Sequence, residues 1–128
     1  MASPPPTIRR RADFLAANRG ARVVTPGFIL LVRARGDDNA AMRAGFTVTK
    51  KIGNSVTRNR LKRRLREVVR LALADAGQPG ADHVLIGRDA GLNRPFAALQ
   101  ADLVRALARL SRPPNHQISS PDSPDAIA

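Results

Sequence analysis

The sequence predicts a small α+β domain, a sandwich whose elements follow one another in the order α-β-β-β-α-β-α. Three observations support this prediction. The chain has 128 residues, which is the usual size of one domain. Apolar residues make up 43% of it, enough to form a core. They recur every second residue in short segments and every three to four residues in two longer ones, the periods of strands and helices.

The two ends of the chain lack the features of a folded segment. The N-terminal end contains three consecutive prolines, which favour extended backbone and cannot donate backbone hydrogen bonds. The C-terminal end is rich in proline and serine and has no apolar periodicity. Such segments bury too little apolar surface to offset the entropy lost on ordering. We therefore expect disordered tails at residues 1–7 and 112–128, and a folded domain over residues 8–111.

The first half of the domain is predicted to form one helix followed by three strands. Phe14 and Leu15 are the apolar residues of the helix, and Gly20 follows as its stop signal. A Pro-Gly turn separates the first two strands, and a polar loop precedes the third. In the third strand, Phe46 and Val48 fall on one face. These elements are predicted over residues 10–18, 22–25, 28–33 and 44–49.

The second half is predicted to form a long helix, a short strand and a final helix. Asn54 or Ser55 is placed to cap the long helix. Both helices carry an apolar stripe that would pack on a sheet. In the long helix the stripe comprises Leu61, Leu65, Val68 and Ala72, with Val69 at its edge. In the final helix it comprises Phe96, Leu99, Leu103, Leu107 and Leu110. The predicted bounds are 56–76, 83–87 and 95–110.

The charge of the chain is strongly positive and unevenly distributed. Lys and Arg number 22 against 10 acids, a net charge of +12. Residues 43–70 hold ten of these basic residues and one acid, Glu67. Within the long helix, Arg58, Lys62 and Arg66 follow at intervals of four residues, where like charges repel. A polyanion would relieve that repulsion, so we interpret this face as binding nucleic acid rather than as a merely solvated surface.

The remaining residues favour RNA over DNA as the partner. The helix lacks the dimerisation heptads and the helix-turn-helix neighbours of common DNA readers. With four Phe and no Trp or Tyr, the chain also lacks a broad aromatic platform for stacking single-stranded bases. We therefore expect recognition of the phosphates and shape of a folded RNA. A second basic row, with Arg60 and Arg64, lies beside the first.

Several kinds of chemistry are excluded or unsupported. The absence of cysteine excludes disulfides, thiolate metal sites and thiol catalysis. The longest strongly apolar run, residues 28–32, is far shorter than the ~20 residues of a membrane helix. The ten acids look scattered over loops and helix surfaces, and His83 is interpreted as structural or solvent-facing. We assign no catalytic residue, no metal ligand, no small-molecule substrate and no membrane partner, and we expect a cytoplasmic protein.

One stretch resembles a known family. Residues 45–67 read GFTVTKKIGNSVTRNRLKRRLRE, and they resemble the protein subunit of bacterial ribonuclease P. The Arg58-Asn59-Arg60 element matches that family's signature, in the expected Lys-Lys-Ile-Gly-Asn and Leu-Lys-Arg context. With weaker matches elsewhere, the resemblance spans about residues 8–110. It implies a left-handed crossover around the long helix, a topology also found in a ribosomal protein domain.

The resemblance also implies a function. Members of this family pair with a large catalytic RNA, and the holoenzyme cuts the 5′ leader from precursor tRNA to leave a 5′-phosphate. The chemistry belongs to the RNA, which holds most of the required Mg²⁺, and the protein assists. The residues expected to contact the RNA subunit are Lys50, Lys51, Arg58, Asn59, Arg60, Lys62, Arg63 and Arg66. The residues expected to contact the leader, in a cleft between the sheet and the first helix, are Phe14, Phe28 and Leu31.

The chain departs from the family in its aromatic residues. Family members are often aromatic where this chain has Asn18 and Leu31, so we expect weaker stacking on leader bases. Two alternatives remain: a structural ribosomal or general RNA-binding protein, and a protein-only nuclease. The context of Arg58-Asn59-Arg60 favours ribonuclease P over the first. The second would need metal-binding carboxylates, which the sequence does not suggest.

Overall fold

The computed structural model describes residues 5–110, with side chains described at all of them except 74 and 75. Their seven main elements confirm the predicted order and lie within two residues of the predicted bounds. Two short 3₁₀ turns, Lys50–Ile52 and Asp89–Leu92, were not predicted. The helices are α1 (Arg11–Ala17), α2 (Ser55–Ala76) and α3 (Phe96–Leu110). The strands are β1 (Ala21–Val24), β2 (Phe28–Ala34), β3 (Arg43–Thr47) and β4 (Ala81–Gly87).

The four strands form one mixed sheet in the order β1-β2-β4-β3. β2 pairs antiparallel with both β1 and β4, whereas β3 and β4 are parallel neighbours joined by α2. In the register, Val84 of β4 lies opposite Leu31 of β2 and Gly45 of β3. β4 is therefore a central strand, and because helices cover both faces of the sheet it is buried along nearly all its length, including its polar residues Asp82 and His83.

The main core fills the space between one face of the sheet and the helices α2 and α3. Both predicted helical stripes lie in it, because Leu61, Leu65, Leu99, Leu103 and Leu107 are all fully buried. The stripe residues Phe96 and Leu110 pack at its margin. Burial of leucine-sized side chains stabilises a fold by roughly 1.5–3 kcal/mol each. This core is what fixes α2 in place and turns its opposite side outward.

A smaller core lies on the other face of the sheet, beneath α1. It contains Ile8, Ala17, Leu31 and Val84, with Phe14 packed against them. The Phe14 ring sits so close to Gly45 that a β-carbon there would lie 2.7 Å from the ring atoms. Gly45 thus permits the Phe14 ring of α1 to approach β3 closely.

The start of α2 is fixed by two adjacent residues. Gly53 adopts φ 154° and ψ −165°, a backbone region essentially restricted to glycine. The chain then turns into the helix at Asn54, whose side-chain oxygen accepts a hydrogen bond from the Thr57 amide at 2.9 Å. Asn54 is therefore the N-cap, one of the two residues that the sequence offered for this role.

An ionic cluster, called here the sheet-end network, lies where β3 and β4 begin and β2 ends. Its centre is Asp82 of β4, which is fully buried. Arg43 makes two hydrogen bonds to this carboxylate, at 2.8 and 2.7 Å, and Arg35 makes one at 3.0 Å. Arg33 lies 3.9 Å away and, with Arg43, also contacts Asp13 of α1. The expectation that the acids lie on loops and helix surfaces is therefore wrong for Asp82.

Burial and hydrogen bonding act in opposite directions on the Asp82 carboxyl. Burial alone would raise its pKa, but hydrogen bonds from Arg43 and Arg35, together with their charges, outweigh burial and lower the pKa. The carboxylate is therefore ionised and satisfied, which is the condition under which a buried charge is tolerated.

The N-terminal boundary of the fold lies earlier than predicted. The Ala44 amide donates to the Pro6 carbonyl at 2.9 Å, and the Ile8 amide donates to the Ala44 carbonyl at 2.8 Å. Thr7 thereby forms a parallel bridge to Ala44. The assignment of the whole of 1–7 to a disordered tail is wrong for Pro6 and Thr7, because β3 is an edge strand and offers them hydrogen bonds. The predicted C-terminal tail, 112–128, lies outside the described residues.

Candidate nucleic-acid interface

The outward side of α2 and the turn before it form a basic face. Arg58, Lys62 and Arg66 follow one another at intervals of four residues along one side of the helix. The side chain of Arg66 lies over the ring of Phe46, with 5.9 Å from its guanidinium carbon to the ring centroid. This distance is within the range of a cation–π contact, which orients the guanidinium without neutralising it. The members of the basic face are Lys50, Lys51, Arg58, Asn59, Lys62, Arg63 and Arg66.

The positive charges of the basic face have no acidic partner within the described part of the chain. No carboxylate lies within 4.0 Å of any of them. The one acid on this half of the helix, Glu67, pairs with Arg70 instead. Hydrogen bonding to Arg70 lowers the pKa of Glu67, so this carboxylate is ionised and already occupied. The basic face is thus a surface of uncompensated charge on a rigid helix.

The second basic row on α2, Arg60 and Arg64, donates hydrogen bonds to backbone carbonyls of the protein. Arg64 donates to the carbonyl of Leu92 at 2.7 Å and also to the carbonyl of Arg94. Arg60 reaches the same Leu92 carbonyl at 3.4 Å. These carbonyls belong to the loop between β4 and α3, so this row ties α2 to that loop. Arg60 was expected to contact the RNA subunit. In the structure its side chain reaches the Leu92 carbonyl instead of joining Arg58, Lys62 and Arg66.

A cleft of about 450 Å³ lies between α1 and the sheet, on the face opposite α2. Helical spacing brings Arg11, Phe14, Leu15 and Asn18 to its helix wall, because residues three, four and seven apart share one side of a helix. The other lining residues come from the segment before α1 and from the strands: Arg9, Leu31, Phe46, Thr47, Val84 and Ile86.

The three residues expected in the leader cleft have three different positions. Phe14 lines the helix wall and is half-buried. Leu31 lies in the floor with only 1% of its surface exposed. Phe28 does not reach the cleft, so its assignment is wrong: it is fully buried in the main core, on the other face of the sheet. The alternation of side chains along β2 explains this, since positions 28 and 31 differ by an odd number.

The two basic residues of the cleft were missed at the sequence level. Arg9 and Arg11 are exposed and line the cleft. Arg11, Phe14 and Asn18 occur at spacings of three and four residues, so the helical pattern of the segment could have identified Arg11. Arg9 precedes the helix, and nothing in the sequence places it beside the strands.

His83 is structural, one of the two interpretations offered by the sequence. It is fully buried in β4. Its Nε2 accepts a hydrogen bond from the Gln78 amide at 3.1 Å, and its Nδ1 lies 3.2 Å from the Arg43 carbonyl, to which it donates in the matching neutral tautomer. Burial lowers the pKa of this imidazole. Both ring nitrogens are therefore engaged in joining β4 to its neighbours.

Residues 5–110 lack two further features. No helix there is both long and apolar enough to cross a membrane. No three acidic or histidine side chains in this range come close enough together to hold a metal ion. Asp102, the other buried acid among the residues whose side chains are described, is engaged by Arg94 at 2.6 and 3.2 Å and by Arg105 at 2.7 Å.

The chain is similar to proteins of one family over most of its length. The family profile described as Ribonuclease P matches residues 4–111. The ribonuclease P protein component of Erythrobacter litoralis is 52% identical over 109 residues, which cover 85% of this chain and 88% of that protein. The component from Gluconacetobacter diazotrophicus is 50% identical over 103 residues, covering 80% and 88%.

Solved structures give the same result. The RNase P protein from Thermotoga maritima matches with a TM-score of 0.69 at 30% identity, covering 83% of this chain and 98% of that one. The Staphylococcus aureus RNase P protein matches with a TM-score of 0.66 at 25% identity, covering 83% and 97%. The sequence match extends beyond the predicted domain start at residue 8, in agreement with the ordered Pro6 and Thr7. The chain therefore belongs to the ribonuclease P protein family.

Proposed function

We propose that this ribonuclease P protein component binds the catalytic RNA subunit through the basic face of α2. The observation that carries the proposal is the run of basic side chains with no carboxylate within 4.0 Å in the described residues. Phosphates are the natural partners of such a surface, since their contacts release condensed counterions and the guanidinium fork matches phosphate oxygens. The N-cap at Asn54 and the main core hold the face rigid, which limits the ordering cost of binding.

The cleft beside α1 is the proposed site for the 5′ leader of precursor tRNA. It opens on the opposite side of the sheet from α2, so one protein can hold the RNA subunit and the substrate at the same time. Its width suits an extended single strand rather than a duplex, because helix and sheet are in contact at Phe14 and Gly45. In this arrangement the protein adds affinity for leader-bearing precursors over mature tRNA.

The cleavage chemistry is proposed to come from the RNA subunit. The reaction is the hydrolysis of one phosphodiester bond: water attacks the phosphorus, the leader departs with a 3′-hydroxyl, and the mature tRNA keeps the 5′-phosphate. Mg²⁺ held mainly by the RNA would activate that water. The protein residues fit such a metal poorly, because the buried acids Asp82 and Asp102 are already bound by arginines. The proposed substrate places the protein in the bacterial cytoplasm.

Reconstitution tests this function directly. The chain is combined with a bacterial ribonuclease P RNA, and cleavage of a precursor tRNA is followed across a magnesium series. We expect the RNA alone to cut only at high magnesium and the added protein to lower the magnesium requirement. The protein alone is expected to cut nothing.

A matched pair of variants shows whether the basic face is responsible. Lys62→Ala together with Arg63→Ala removes two of its charges, whereas Arg109→Ala removes an exposed arginine from the last turn of α3. The first variant should need more magnesium or more protein for the same rate, and the second should behave as the wild type. The proposal fails if the protein does not stimulate the RNA, or if purified protein free of RNA cuts the precursor.

A further inference from the structure

The cleft beside α1 presents few surfaces on which a base could stack. Phe14 and Phe46 both line it, but only Phe14 packs with the smaller core on the α1 side, and the Phe46 ring packs on the α2 side of the sheet. The ring of Phe14 lies against the backbone of Gly45. Phe46 packs at the edge of the main core and is covered by the guanidinium of Arg66. Both rings are thus already engaged by the protein, and the floor at Leu31 is 1% exposed.

The same cleft carries positive charge without compensation. Arg9 and Arg11 line it, and no aspartate or glutamate is among its lining residues. The nearest acid in the sequence, Asp13, is turned to the sheet-end network, where it lies 3.4 Å from Arg43 and 3.9 Å from Arg33. Among residues 5–110, neither Arg9 nor Arg11 has a carboxylate within 4.0 Å. Both side chains are therefore available to an anionic ligand.

The basic and the apolar side chains of the cleft lie at different positions along its helix wall, so a single RNA strand would contact them separately. The arginines come from the start of α1 and the segment before it. Farther along the same helix wall, Leu15 exposes 51% of its surface as a flexible apolar side chain. An aliphatic side chain such as Leu15 offers contact area but no hydrogen-bond donor or acceptor with which to distinguish one base edge from another. The chemistry of the cleft is therefore matched to a sugar–phosphate backbone.

We infer that Arg9 and Arg11 hold the leader by its phosphates, so that this protein binds precursor tRNA with little regard to leader base identity. The inference rests on the proposed function, since it takes the cleft to be the leader site. It assigns the two arginines as specificity-determining residues: they favour precursors that have a leader over tRNA that has none, and they do not select among leader sequences. Arginine suits this task because its planar fork grips phosphate oxygens in pairs.

The test uses the reconstituted holoenzyme and four precursor tRNAs: an unmodified leader, an abasic leader, a leader with uncharged methylphosphonate linkages, and no leader beyond one nucleotide. Binding is measured by titration and cleavage by kcat and KM. We expect the abasic leader to bind within about threefold of the unmodified one, because stacking that contributed normally would cost roughly 5- to 150-fold per base. The uncharged leader should bind at least tenfold more weakly, close to the leaderless tRNA.

Protein variants complete the design. Arg9→Ala with Arg11→Ala should weaken leader binding at least tenfold on the unmodified precursor and have little further effect on the uncharged one. Arg9→Lys with Arg11→Lys should restore most of the binding, because a point charge still contacts phosphate. Arg109→Ala, beside β1 at the opposite edge of the sheet from β3, is the matched control.

The outcomes separate this inference from the function on which it rests. If the holoenzyme cuts the unmodified precursor but loses affinity for the abasic leader, the bases contribute to binding and the inference that the phosphates hold the leader is wrong, while the function stands. The same conclusion follows if the double alanine variant binds every leader normally. If the holoenzyme cuts no precursor at all, the proposed function fails and the inference fails with it.

Discussion

The arginines of the sheet-end network and those of the basic face of α2 differ in whether they have acidic partners. At the sheet end, Arg33, Arg35 and Arg43 surround the buried carboxylate of Asp82. On α2, Arg63 and Arg66 are exposed, and no carboxylate of the described residues lies within 4.0 Å. The first group stabilises the fold and the second is available for RNA. The net charge of +12 therefore says little about which arginines bind RNA until their acidic partners are known.

The largest effect is expected from breaking the sheet-end network. Asp82→Asn keeps the shape of the side chain but removes the fully buried counter-charge of the surrounding arginines, which then have only the more exposed Asp13 and Asp37. Removing one partner of a buried ion pair costs roughly 3–5 kcal/mol, and we expect a loss of that order in the free energy of unfolding. Urea denaturation measures it. Asp37→Asn is the control, since Asp37 is an exposed partner of Arg35 and should cost about 1 kcal/mol or less.

The next largest effect on stability is expected at Leu65 of α2, and it contrasts with that at its neighbour Arg66. Leu65 is fully buried in the main core, so Leu65→Ala should cost ~2–5 kcal/mol of unfolding free energy. Arg66 is exposed, and Arg66→Ala should change stability by no more than about 0.5 kcal/mol. RNA titration should show the reverse order, with the folded Leu65→Ala protein binding normally and Arg66→Ala binding more weakly. Equal stability of the two variants would contradict the assignment of the two helix faces.

A smaller effect is expected from pH, in two stages. Burial lowers the pKa of His83, so the unfolded chain takes up this proton first as pH falls. Stability should be complete above the unfolded value of about 6.5 and should decline as pH falls through it toward the folded value. The pKa of Asp82 is also lowered, so its contribution is present above about pH 3.9 and is lost below that value.

Urea unfolding at a series of pH values tests both stages. His83→Gln should flatten the decline between about pH 7 and pH 5, and Asp82→Asn should flatten the part below about pH 4. A wild-type stability that does not change between pH 7 and pH 5 would show that His83 titrates alike in both states.

Local sequence patterns predict most of the fold and part of the site. The element order, the stripes on α2 and α3 and the cap at Asn54 depend on residues within a few positions of one another, so periodicity and turn chemistry predict them. The sheet-end network does not, because Asp82 meets Arg43 and Arg35 across 39 and 47 residues of chain. The same holds for Arg64, whose carbonyl partners lie 28 and 30 residues away. These contacts exist only after the strands have paired.

The two errors have different origins. Phe28 was assigned to the cleft together with Leu31, but side chains alternate along a strand, so the two residues face opposite sides of the sheet and Phe28 enters the main core. Pro6 and Thr7 were assigned to a tail because the prolines there cannot donate hydrogen bonds. Their ordering comes from Ala44 at the edge of β3, which supplies both a donor and an acceptor.

We propose that arginines on α2 with no acidic partner among the described residues, and not the positive charge of the chain as a whole, bind the RNA subunit. The most direct measurement is the salt dependence of RNA-subunit affinity for the wild type, Arg63→Ala and Arg109→Ala. Both residues are exposed and helical, but Arg109 lies beside β1, away from the basic face. We expect Arg63→Ala to flatten the slope of log K against log salt by roughly 0.7–0.9 and Arg109→Ala to leave it unchanged. Equal slopes for all three proteins would contradict the claim.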